Sequence, residues 1–178
     1  MISFLLPFLI FQNKMVVFDF SPSSSLSEWA VVDDIVMGGR SDGGLYLNEA
    51  GHAVFKGKVS VENNGGFSSI RHRFQKKKVE GYDKVLIKLK GDGKRYQFRV
   101  KANKYDRHSY ISNFQTSGEW QTIEILLSDL YPTFRGRRLS QPNFSSQTIA
   151  EIAFLIGNKK AEAFKLEINV IYLDKLKS

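Results

Sequence analysis

The sequence predicts an all-β protein, an antiparallel β-sandwich for which a jelly roll is one arrangement, on three observations. Apolar and polar residues alternate with a period of two along most of the chain. Turn-forming Gly, Asn, Asp and Ser recur every ten or so residues, and no amphipathic helical stripe of useful length is present. The 178 residues, 42% hydrophobic and 25% charged, suffice for one domain with a proper core. The chain has no Cys, which excludes a disulfide framework, a thiolate metal site and a cysteine nucleophile, and fits a reducing compartment.

The N-terminal Met1–Phe11 is apolar, but no Lys or Arg precedes it and no small-x-small cleavage site follows. It is also shorter than the roughly 20 residues of a membrane helix. Residues 1–14 are therefore expected to be a leader or an extension ahead of a start at Met15, and residues 15–178 a single domain. An atypical export signal or a membrane-peripheral segment is the alternative. A cytoplasmic location is expected otherwise.

Ser21–Ser27 reads as a loop, and Trp29–Ser41 as an apolar run ending in the Gly38-Gly39 turn. Within that run Asp33 and Asp34 point to opposite faces if extended, so they would not share a proton or a substrate. Turn solvation or capping is the first reading for this pair, and a calcium site completed by carbonyl groups is the alternative. In Gly51–Ser60, Ala53, Phe55 and Val59 share a face opposite Lys56 and Lys58. Asn63-Asn64-Gly65-Gly66 is turn chemistry. Lys84–Lys90 buries Val85, Ile87 and Leu89. Gly91-Asp92-Gly93 is expected to close a hairpin with Arg95–Lys101, which turns Tyr96, Phe98 and Val100 inward. Further strands are expected at Ser109–Gln115, Trp120–Leu126, Glu151–Gly157 and Phe164–Leu173, with short helical turns near Ser128–Leu130 and Gln147–Ala150.

No nucleophile elbow, P-loop or dinucleotide fingerprint occurs in the sequence. His52, His72 and His108 lie far apart, without metal-ligand spacing. No cofactor is expected. Charge is the more informative property: the net +8 is concentrated between Arg71 and Tyr110, which hold 14 Lys and Arg against 4 Asp and Glu. Arg71 and Arg73 share a strand face, as do Arg95, Arg99 and Lys101. If those strands neighbour one another they form a basic sheet face, with Arg135, Arg137 and Arg138 on its rim. Arginine suits such a face because its planar fork binds carboxylate or phosphate bidentately. A solvated, edge-protecting lysine-rich face is the plainer reading.

Several ordered motifs carry a family resemblance. They are W-x-V-V-D-D-x-V-M-G-G-x-S over Trp29–Ser41 and F-x-G-x-V-S-x-E-N-N-G-G-F-S-S-I-R over Phe55–Arg71. Tyr96-Gln-Phe-Arg-Val, Tyr110-Ile-Ser-Asn-Phe-Gln-Thr, Gly118-Glu-Trp-Gln, Tyr131-Pro-Thr-Phe-Arg-Gly-Arg and Glu151-Ile-Ala-Phe-Leu-Ile-Gly-Asn-Lys follow in order. From about Val16 to Leu173 the chain resembles the complex I intermediate-associated protein 30 family. The resemblance implies a galactose-binding-domain-like sandwich and a non-catalytic assembly factor that binds protein partners such as respiratory-complex subunits or a membrane-associated assembly. It transfers no catalytic residues. The expected binding residues are Asp34, Asn63 and Asn64 on loops at one end, with Arg71, Arg73, Arg99, Arg135 and Arg137 on and around the basic face. Carbohydrate binding, through exposed Tyr105, Tyr110 or Trp120, and RNA or other anionic-ligand binding are the alternatives.

Overall fold

A computed structural model describes residues 14–176; all of the expected leader except Lys14 lies outside the described residues. The strands are β1 (Met15–Asp19), β2 (Trp29–Asp33), β3 (Asp42–Leu47), β4 (Ala53–Val59) and β5 (Ser68–Lys78). Then come β6 (Lys84–Lys90), β7 (Arg95–Lys101), β8 (Ser109–Gln115) and β9 (Trp120–Leu126). The last four are β10 (Tyr131–Phe134), β11 (Arg137–Arg138), β12 (Thr148–Ile156) and β13 (Glu162–Asp174). Short 3-10 turns cover Asp34–Met37, Glu62–Asn64 and Leu127–Asp129.

These strands form two sheets. The first runs β3-β4-β13-β6-β9, with β1 also on β13; the second runs β11-β10-β8-β7-β12-β5-β2. All pairings are antiparallel, as the period-two pattern predicts. At the centre of the first sheet, β13 has β6 along one edge, while β4 and β1 share the other. In the second sheet β12 is central, between β5 and β7.

The core is the layer between the sheets. Phe55, Ile87, Leu89, Leu166 and Ile171 from one face meet Ile70, Phe98, Ile152, Phe154 and Ile156 from the other, all buried. Phe98 and Phe154 pack with ring centroids 5.5 Å apart. Face-to-face sheets bury every second residue of each strand, so alternation in the sequence becomes two layers in space.

Two expectations are corrected. β6 and β7 are not a hairpin: β6 pairs with β13 and β9, β7 with β12 and β8, so Gly91–Gly93 carries the chain from one sheet to the other. Asp92 secures the crossing, accepting hydrogen bonds from Tyr96 Oη (3.0 Å) and from the Lys165 backbone N–H (2.9 Å). The segment Gln147–Ala150 is not helical either; β12 begins at Thr148 and already buries Ile149 and Ala150.

Gly91 is needed at the crossing because Thr116 lies against it. A Cβ there would stand 2.3 Å from Thr116 Cβ, and Thr116 is held by its hydroxyl on the Lys94 carbonyl (2.8 Å). Gly91→Ala is expected to destabilise the fold by about 1–3 kcal/mol, as overpacking does, read as a lower urea midpoint at unchanged slope.

Candidate functional site

The two motif-rich segments meet at one end of the sandwich. Asp34 is completely buried and its carboxylate collects donors from distant parts of the chain. Oδ1 accepts the Ser41 N–H (2.9 Å); Oδ2 accepts the Ser41 hydroxyl (2.5 Å) and the N–H groups of Gly66 (2.6 Å) and Phe67 (3.3 Å). Burial alone would raise its pKa, but the bonds from Ser41, Gly66 and Phe67 outweigh that and hold it below the usual value. Gly39 and Gly65 make room for this carboxylate: a Cβ would come within 2.3 Å of Asp34 at the first and 2.5 Å at the second. Asp33 turns the other way, as expected, accepting the Gly43 N–H (2.9 Å) and the Ser68 hydroxyl. Asn63 and Asn64 take positive φ (54° and 58°), which Asn tolerates, to make the turn that presents Gly66 and Phe67. The Asp34 carboxylate is thus taken up by its own loops, in the capping role that is the first reading for the Asp33-Asp34 pair. Asn63 and Asn64 remain exposed there, in the loop that leads into β5.

The arginines gather on the outer face of the second sheet. Ala153 of β12 pairs with Arg71 of β5 on one side and Arg99 of β7 on the other. One rung along the same face, Glu151 pairs with Arg73 and Lys101. The expected basic sheet face is thus two adjacent rows in register. Arg73 Nε lies 2.7 Å from the buried Glu151 carboxylate. Arg99 Nη1 donates to Gln97 Oε1 (2.9 Å), and Lys101 Nζ to the Asp106 carbonyl (2.7 Å).

Four cations surround one carboxylate here, and three of them, Arg99, Arg71 and Lys101, are shifted first of all by burial. Burial pushes Arg99 down to about 10, with Arg71 repelling it and Glu151 opposing the shift. Arg71 is lowered by burial, against the pull of Glu151, and Lys101 likewise by burial and its arginine neighbours.

Beyond β7 the face continues over Ile111 of β8 and Tyr131 and Thr133 of β10 to Arg138 of β11. Arg138 stacks on Tyr131 with its guanidinium carbon 4.5 Å from the ring centroid. Arg135 instead occupies the β10–β11 turn and lies over Phe134 (5.3 Å), and Arg137 pairs with Phe134, one residue out of phase with Arg138. Of the three rim arginines Arg138 joins the face, while Arg135 and Arg137 lie at its rim. A period-two count from Arg137 could not show which side β11 presents.

The three aromatics that a carbohydrate-binding face would need are dispersed. Trp120 is on the first sheet beside His52 (4.6 Å), Tyr105 is in the β7–β8 loop, and Tyr110 packs inward on Phe144 (5.2 Å). His72 is buried against Trp29 (4.8 Å), far in sequence and in surroundings from His52 and His108. Among the described residues, no group of three or more His, Cys, Asp or Glu is placed to hold a metal ion.

Comparison with known proteins bears on the same motifs. Residues 18–168 match the family described as Complex I intermediate-associated protein 30. The chain belongs to that family. It is 26% identical to Complex I intermediate-associated protein 30, mitochondrial, of Drosophila melanogaster, over 94% of this chain and 66% of that protein. With the Mus musculus protein of the same name identity is 24%, over 91% of this chain and 56% of that one. The chain thus spans about two thirds or less of the length of these relatives. Both are named mitochondrial, a compartment that the cytoplasmic expectation did not include. In structure the chain is similar to a family 11 carbohydrate-binding module from Clostridium thermocellum, with a TM-score of 0.71 at 13% identity, covering 94% of this chain and 98% of that one. That likeness confirms the sandwich.

Within this family member the signature segments are therefore joints of the scaffold. Asp34→Ala would leave the N–H groups of Ser41, Gly66 and Phe67 unpaired. We expect a loss of about 3–5 kcal/mol at pH 7, the scale for breaking a buried charged interaction. Because the folded pKa is depressed, the charge-dependent part of this stabilisation is complete above the ordinary carboxylate value near 3.8 and is lost as pH falls through the lowered folded value. Urea unfolding of wild type and variant at pH 7 and pH 2.5 should show the gap narrowing in acid.

Proposed function

We propose that this chain is a non-catalytic binding module that assists assembly of a respiratory membrane complex, holding a protein partner on the outer face of the second sheet. Family membership and the printed names of the relatives support the assembly role. The location of the binding surface rests on one observation: Arg71, Arg73, Arg99 and Lys101 stand in two adjacent rows around Glu151, with three positive charges left over. Glu151 is already engaged by Arg73. An approaching carboxylate would meet preorganised donors and relieve the mutual repulsion of the cations. The rows lie on paired strands, so the donors are held in place before the partner arrives.

Binding, rather than turnover, is the chemistry these groups support. The guanidinium and ammonium groups donate hydrogen bonds and charge. The carboxylate among them is buried and paired, so it is poorly placed to abstract a proton from a substrate. Asn63 and Asn64, at the end of the sandwich where β5 begins, can extend the contact by polar loop interactions.

The test is affinity capture of the tagged full chain from cells, with and without detergent, followed by mass spectrometry. Respiratory-complex subunits are expected with wild type, and a loss of about tenfold or more with Arg71→Ala/Arg99→Ala, since each charged hydrogen bond contributes about 1.5–3 kcal/mol. Recovery of no such subunits overturns the assembly role. Equal recovery by the variant overturns the surface.

A further inference from the structure

At the far side of the basic face is a pocket of about 270 Å³, lined by Gln97, Arg99, Ile111, Tyr131, Thr133 and Arg138, with Gly136 at its edge. It falls below the roughly 300–1,000 Å³ of sites for drug-sized ligands, and suits a single side chain. Its floor is buried, made by Ile111 and by Thr133, whose hydroxyl is turned to the Ser109 carbonyl (3.5 Å). The Tyr131 ring makes one wall, fixed by the hydrogen bond its hydroxyl accepts from Asn113 Nδ2 (3.1 Å) and covered by the Arg138 guanidinium.

The turn that brings Arg138 back over Tyr131 is built for it. Arg135 and Gly136 both take positive φ, 49° and 76°, in the two-residue form that matches strand twist. At Gly136 an added Cβ would meet nothing within 4 Å, so the pocket mouth is open there. On the opposite side Arg99 is steered by Gln97, which takes one N–H of Nη1 and leaves the rest of the fork for a ligand.

Building on the binding face proposed above, we infer that this pocket seats one glutamate or aspartate carboxylate of an acidic partner segment, gripped between Arg99 and Arg138. A short aliphatic stem would lie on Ile111 and Thr133 while the carboxylate reaches the two guanidinium groups. The shape of the site favours a peptide over the other anions. Arg99 is half-buried in the face, below the reach of a flat lipid surface. Tyr131, the aromatic of the pocket, already has Arg138 on its ring, so it gives a nucleic-acid base no open stacking platform. Arg71, two strands away across Ala153, receives a second carboxylate of the same segment.

The probe is a blocked peptide with two glutamates in a Gly-Ser frame, titrated by calorimetry and two-dimensional NMR against the full chain at low salt. The glutamine version of the peptide, an oligouridine RNA and phosphatidylserine vesicles serve as competitors. The glutamate peptide should bind at least about tenfold more tightly than its glutamine version. Arg138→Gln, an exposed position, should erase that difference, while Lys58→Gln on the opposite sheet should not. Equal binding of the two peptides, an unaffected Arg138→Gln variant, or preference for the RNA or the vesicles overturns the inference. If Arg138→Gln captures the respiratory subunits as well as wild type while Arg71→Ala/Arg99→Ala does not, the face stands and the pocket falls. If the peptide binds as expected but no such subunits are captured, the pocket stands and the assembly role falls.

Discussion

The Asp34 carboxylate is buried at one end of the sandwich without a cationic partner among the described residues, and three separate stretches of chain are arranged to satisfy it. Ser41 supplies a hydroxyl and an N–H from the turn before β3; Gly66 and Phe67 supply N–H groups from the turn before β5. The Ser41 hydroxyl in turn accepts the Ser60 N–H at the end of β4 (3.0 Å). A buried anion tolerates no half-measure: each donor must be present, because an unpaired charge in that place costs several kcal/mol. One glycine of each pair follows from it, since Gly39 and Gly65 are where other residues would strike the carboxylate. With the start of β5 fixed, its register on β12 is fixed too, and so is the row that holds Arg71.

The second sheet shows how a scaffold can carry a charge imbalance. Ala153 and Glu151 on the outer side of β12 are nearly as buried as its core-facing residues, because the long arginine and lysine stems on β5 and β7 lie over them. The stems add packing while the charged heads repel. One carboxylate, held by Arg73, offsets part of that repulsion. The remainder is uncompensated positive charge on this face. Ser68, at the start of β5, helps weld it to β2 through Asp33, and Arg71 and Arg73, farther along the same strand, face outward.

How much of this was legible depends on the range over which each feature is decided. Alternation placed β4, β6, β7, β8, β9 and β13 well because burial of every second residue is a local property. The same pattern could not assign partners. β6 and β7 face one core from opposite sheets, and a strand looks alike whichever sheet it joins; the Asp-Gly turn then suggested a hairpin that the crossing at Gly91 replaces. The basic face was readable only as a condition on strand neighbours: β5 and β7 do not pair with each other, but both flank β12, which sets their cations in register. The capping role of Asp34 was readable locally but its donors were not, since they lie as far as 33 residues away; Gly39 and Gly65 in the two motifs were the available sign of a crowded carboxylate. Arg138 was separable from Arg137 only through the β10–β11 turn, where an Arg at positive φ replaces the Asn that usually announces that geometry.

The central claim is that Arg71 and Arg99 are kept for binding and are not needed to hold the fold. The free energy of unfolding of Arg71→Met/Arg99→Met, measured by urea denaturation beside wild type, tests this most directly. Methionine preserves the stems over β12 and removes the two repelling charges. The account predicts stability equal to wild type or higher by about 1 kcal/mol, in line with replacement of partly buried charge by apolar volume. A loss of about 2 kcal/mol or more would make the two arginines structural, and would contradict the claim.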